Sequence, residues 1–198
     1  MVRTPTKAAK RSQHRTVVSI PIPGTLPPHI VVAFLQTYAP TLRHNEHVVD
    51  FDEIPCSRNT TANDPFFGPW DASVRSFQVH EVTQLIPGIA RSVKWPVVFQ
   101  CIPDGICSRA DHYIGTVVWA RWTVRRQDAG SPAHSESTTS SSTTEPGDNW
   151  ELFEEVLTDA NNMLMRFTSK IIDKIHQQIS QRIVDEAFKA YITGTLHQ

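Results

Sequence analysis

The chain has 198 residues, and its 19 Lys and Arg against 20 Asp and Glu give a formal net charge of −1, so it offers no overall attraction for nucleic acid or an anionic membrane. No apolar run approaches the roughly 18 residues of a spanning helix. The three cysteines, Cys56, Cys101 and Cys107, are odd in number and irregularly spaced, which argues against a disulfide framework and for a reducing compartment.

Residues 1–14 carry Arg3, Lys7, Lys10 and Arg11 without an acid, and no apolar run follows them. They read as a disordered basic tail rather than a secretory signal. The reading is a cytoplasmic protein, with the nucleus as the alternative that the basic tail suggests. A single domain is expected over 15–193.

Order is expected from Arg15. Thr16–Ile22 is β-rich, with Pro21 at an edge or bulge. Pro23-Gly24 turns the chain, Pro27-Pro28 suits a helix start, and His29–Tyr38 is a short amphipathic helix that Pro40 stops. His47–Phe51 reads as the next strand, and Pro55–Trp70 as a loop. Strands are expected at Arg75–Ile86, Ala90–Ile102, Tyr113–Arg125 and Trp150–Leu157, for about six in all. Pro87-Gly88 and Pro103-Asp104-Gly105 supply turns between the first three of these, the latter with Gly where φ is allowed to be positive.

Alternation predicts which face is covered. Val93, Trp95, Val97, Phe99 and Cys101 lie opposite Lys94, Pro96 and Gln100, and Val118, Ala120, Trp122 and Val124 lie opposite Arg121, Thr123 and Arg125. That is a sheet covered on one side and wet on the other. Residues 127–149 are dominated by Ser and Thr and hold no large apolar residue, so they read as a disordered insertion. From Asn161 to about Tyr191 there is neither Pro nor Gly. Leu164, Phe167, Ile171, Ile175, Ile179, Ile183, Ala187 and Ala190 recur every three or four residues, which predicts a helix about 45–50 Å long.

The fold class is therefore α+β: a curved antiparallel sheet gripping a long C-terminal helix, with a short helix after the first strand. Three segments carry a resemblance. They are Val93-Lys-Trp-Pro-Val-Val-Phe-Gln-Cys-Ile-Pro-Asp-Gly-Ile106, Gly115-Thr-Val-Val-Trp-Ala-Arg-Trp-Thr-Val124, and Trp150-Glu-Leu-Phe-Glu-Glu-Val leading into Asn162-Met-Leu-Met-Arg-Phe. With the first strand and helix they resemble the START-like helix-grip superfamily (SRPBCC), which includes birch-pollen-type allergens and polyketide cyclases. The local text is similar to a fungal family of START-like domains of unknown function. The resemblance covers about 15–126 and 150–192, and it implies binding of an apolar molecule between sheet and helix. Trp95, Phe99, Trp122 and Phe167 are expected to point into that space, and with Ile171 they are the candidate ligand contacts. Packed core is the competing reading for each.

Chemistry-bearing patterns are sparse. Cys101, Cys107 and His112 have C-x5-C-x4-H spacing, which matches no zinc pattern, and His44 with His47 lacks the Glu and helix of a zincin. Asp111-His112 and His80-Glu81 are adjacent along strands, so each pair splits between faces, leaving His80 or Glu81 as a group that faces the cavity. Glu154 and Glu155 split likewise, and whichever points inward needs a partner. There is no G-x-S-x-G and no Gly-rich phosphate loop. No metal, cofactor or catalytic residue is expected.

Three functions remain: a binder of a lipid, sterol or polyketide-like molecule; a cyclase or dehydratase of secondary metabolism; or a non-catalytic interaction module with a filled core. The partner expected is an apolar small molecule rather than nucleic acid, and the oligomeric state is left open.

Overall fold

The structure is a computed structural model and describes residues 10–86, 89–112, 114–127 and 149–195. Seven antiparallel strands form one curved sheet: β1 (Arg11–Pro21), β2 (Val48–Ile54), β3 (Arg75–Ile86), β4 (Ile89–Ile102), β5 (Gly105–Asp111), β6 (Val117–Arg126) and β7 (Trp150–Asn161). Their spatial order is β1-β7-β6-β5-β4-β3-β2, so the first and last strands pair. Two short helices, α1 (Pro28–Leu35) and α2 (Ala39–Arg43), follow β1. The last element, α3 (Asn162–Ile192), has 31 residues and a length of about 46 Å. Its start is capped by Asn161, whose side chain accepts from the Met163 amide at 2.9 Å. No described helix is long and apolar enough to cross a membrane. This is the helix-grip architecture expected from the element order.

The start of the first strand moves. β1 begins at Arg11 instead of Arg15, because its pairing with β7 runs from Arg11↔Asn161 to Pro21↔Glu151. The Arg11 guanidinium, expected in the disordered basic tail, bonds the Asp159 carboxylate and donates to the Gly115 carbonyl at 3.0 Å. Residues 1–9 of the expected tail lie outside the described residues. So do 128–148 of the expected insertion, whose ends meet where the Gln127 amide donates to the Asn149 carbonyl at 2.7 Å.

One strand was missed. β5 shows no polar alternation because both of its faces are covered. Its outer face lies under the segment between β2 and β3. There Phe67, Val74, Val98 and Cys107 form a second small apolar cluster. Gln100 ties that segment down, accepting from the Gly68 amide at 2.9 Å and donating to the Pro69 carbonyl at 2.7 Å. Asp64, also in it, accepts from Trp119 Nε1 at 2.8 Å and from Arg109 Nη1 at 3.1 Å. The sheet is thus wet on its outer side only in part.

The expected helical stripe changes as well. Ile179, Ile183 and Ala187 are buried, whereas Phe167 is 71% exposed and Ile171 54% exposed. Each four-residue step turns about 40° past a full revolution, so a series of such steps walks around the helix. By Ala187 the face has rotated well away from that of Phe167, and Met165, Ile172 and Ile175 replace it over the sheet. Phe167→Ala should therefore change stability by no more than about 0.5 kcal/mol in urea unfolding. A loss of several kcal/mol would return that ring to the core.

Candidate functional site

The inner face of the sheet and the middle of α3 do not close completely. Between them lies a cavity of about 130 Å³. Trp95, Val97 and Phe99 from β4, Ala110 from β5, Val118, Ala120 and Trp122 from β6, and Ile172, Ile175 and Ile179 from α3 supply its apolar wall. Polar groups are few: Ser108, His112 and His176, with Thr41 and Asn45 from the end of the α2 region.

Of the five residues named from sequence, the fold brings Trp95, Phe99 and Trp122 together on this wall. Alternation explains it, since each stands on the covered face of its strand. Phe167 and Ile171 are not brought there, for the helical reason just given. They sit on the exposed side of α3.

The aromatic side of the cavity is held by polar contacts. Trp95 Nε1 donates to Glu81 Oε2 at 2.8 Å, and the Trp95 ring lies against His112 with centroids 4.3 Å apart. Burial holds the His112 pKa below the usual imidazole value, against the opposing pull of Glu81 and Asp111. Nearby, Phe99 stacks on Tyr38 at 5.1 Å, whose hydroxyl reaches the Cys101 sulfur at 3.0 Å. Tyr38 sits at φ +63°, a strained backbone fixed by these ring and hydroxyl contacts.

The sequence pairs separate as alternation requires. Glu81 faces Trp95, while His80 lies 3.9 Å from Asp52 on the other side of the sheet. His112 turns inward and Asp111 outward to Arg109, at 2.9 Å. Cys101 packs with the main core, but Cys107 belongs to the outer cluster, so Cys101, Cys107 and His112 do not converge. Burial pushes the Cys107 thiol up to about 11. His44 bonds Glu186 Oε2 at 2.6 Å, and with Arg43 it ties α2 to α3.

Sequence reasoning left one cluster undiscovered. Glu154, on the inner face of β7, is 0% exposed. Its Oε1 is bonded to His176 Nδ1, and its Oε2 accepts from Ser180 Oγ at 2.6 Å. Ser180 in turn accepts from Trp122 Nε1 at 3.2 Å. Glu155, outward, pairs with Arg15. The signal existed: His176 and Ser180 are four residues apart and interrupt the apolar stripe among Ile172, Ile175, Ile179 and Ile183. The need for a Glu154 partner was legible too, but nothing local in sequence pointed from β7 to α3.

A family model described as a domain of unknown function (DUF7053) matches residues 10–189. No curated protein matches the chain. Among solved structures, TTHA0849 from Thermus thermophilus is similar at a TM-score of 0.51 and 9% identity, over 89% of this chain and 99% of that one. The di-domain ARO/CYC BexL from the BE-7585A biosynthetic pathway is similar at 0.52 and 13% identity, over 88% of this chain and 50% of that one. The di-domain ARO/CYC StfQ from the steffimycin biosynthetic pathway is similar at 0.52 and 10% identity, over 90% and 52%. The chain spans about half the length of these two di-domain proteins. At such identities the likeness is one of fold.

Proposed function

The chain belongs to the DUF7053 family of domains of unknown function, and we propose that it uses the cavity between sheet and α3 to bind a small apolar molecule. The observation that carries this reading is the cavity itself, walled by Trp95, Phe99, Trp122 and three isoleucines of α3. Apolar side chains at that density would ordinarily close on one another, and here they leave space.

Size narrows the ligand class. A dry apolar cavity of roughly 150 Å³ holds a molecule the size of benzene, whereas pockets for drug-sized ligands span about 300–1,000 Å³. At about 130 Å³ the cavity suits one ring, a fused pair of rings the size of indole or a short branched chain. A sterol or a polyketide of three or more rings would require α3 to move. The ARO/CYC likeness supports the apolar-pocket reading by fold analogy only.

Indole is a suitable probe, its binding read by isothermal titration calorimetry because its own fluorescence overlaps that of Trp95 and Trp122 on the wall. A saturable change with a rise in melting temperature is expected. Ala120→Leu, which places a larger side chain on the cavity wall, should abolish both while the protein stays folded. An unsaturable, non-specific response to indole, p-cresol and toluene alike would instead favour a filled core and an interaction role.

A further inference from the structure

We propose that His176 is a general base aimed into this cavity, acting on an acidic C–H bond of a small one-ring or fused two-ring ligand. The proposal rests on the ligand-binding reading above and assigns that site a reaction.

Proton positions follow from donor chemistry. An indole N–H only donates, so Trp122 makes Ser180 Oγ an acceptor. The Ser180 hydroxyl proton is then committed to Glu154 Oε2, at 2.6 Å. Glu154 Oε1 remains for His176 Nδ1. A carboxylate there accepts, so Nδ1 carries the proton and Nε2 is left with its lone pair. Among the described residues Nε2 has no hydrogen-bond partner, and the ring belongs to the cavity wall. A buried carboxylate that fixes the tautomer and orientation of an imidazole is the arrangement that general-base catalysis requires.

A structural role accounts poorly for the same groups. Four polar side chains, contributed by β6, β7 and α3, meet beneath an apolar cavity. Placing an ionised carboxylate there costs desolvation that a leucine at the same position would avoid. The relay contributes nothing to an apolar ligand unless the imidazole does chemistry on it.

The step needs no cofactor and no oxidant. Nε2 takes the proton from a ligand C–H bond. The electron pair of that bond moves into an adjacent carbonyl or expels a leaving group from the neighbouring atom. The imidazolium then returns its proton, to another carbon in an isomerisation or to the leaving group in an elimination. Ser108 lines the same cavity, and its hydroxyl, without a partner among the described residues, is placed to donate to developing negative charge on oxygen.

The test uses 1,2-benzisoxazole, which a base opens to 2-hydroxybenzonitrile. The C3 proton goes to the base, its electron pair completes the nitrile and the N–O bond breaks. Indole calorimetry first establishes whether the cavity binds, and benzisoxazole should displace indole. Its opening should exceed that with an equal concentration of free imidazole by about 10²-fold. His176→Gln, which keeps a donor toward Glu154, should bind indole yet fall to background. Nitrogen NMR of the resting protein should find the Nδ1–H tautomer. Indole binding with benzisoxazole excluded, or opened no faster than by His176→Gln, overturns the proposal, as does the Nε2–H tautomer. No indole binding at all overturns the cavity reading beneath it.

Discussion

Gly105→Ala is expected to destabilise the protein by more than about 3 kcal/mol. A Cβ built at this residue falls 1.9 Å from the Trp122 carbonyl oxygen and 2.9 Å from its carbon. Both obstacles are backbone, so no rotamer change relieves them. Gly105 opens β5 opposite Thr123 of β6, and the neighbouring Val124 amide donates to the Asp104 carbonyl at 2.8 Å. Relief therefore means parting two hydrogen-bonded strands. Gln36 Nε2 donates to the Ile102 carbonyl at 3.0 Å beside the same turn, so α1 would be dragged along. β5 and β6 also carry Ser108, Ala110, Ala120 and Trp122 to the cavity wall, and indole affinity should fall with stability. Urea unfolding decides the first point. A loss below about 1 kcal/mol would mean that the strands separate more easily than a packed sheet allows.

This glycine also marks where sequence reading stopped. In the sequence, Pro103-Asp104-Gly105 is a turn, and a turn glycine suggests positive φ. The described glycines with positive φ are Gly115 and Gly194, and Gly105 is needed for a close approach across strands. Nothing local encodes that approach. The elements themselves were legible wherever one face was wet: β4, β6 and α3 appear in the periodicity because water lies on one side of them. β5 was hidden because the segment between β2 and β3 covers its outer face. Three of the five candidate ligand contacts follow the same rule. Trp95, Phe99 and Trp122 could be placed by alternation, whereas Phe167 and Ile171 were misplaced because a four-residue repeat drifts around a 3.6-residue helix. The Glu154–His176–Ser180 cluster depends on where α3 lies against β7, a tertiary fact that no spacing in the chain records.

That cluster gives the other large effect. His176→Ala should cost about 3 kcal/mol, and His176→Gln much less. Alanine removes the donor to Glu154 Oε1 and leaves a fully buried carboxylate with Ser180 alone. Glutamine restores an N–H toward it. The two variants thus differ in whether Glu154 is satisfied more than in how much apolar surface they bury. A double-mutant cycle isolates the interaction from the altered packing. Glu154→Gln should destabilise the wild-type background, where the imidazole expects an acceptor with full charge. In the His176→Ala background the same change should recover part of the loss, because a neutral amide needs no counter-donor of that strength. A coupling of about 1–3 kcal/mol is expected. Strict additivity would mean that the two groups are neighbours without a functioning bond, and it would remove the constraint that leaves Nε2 unprotonated toward the cavity.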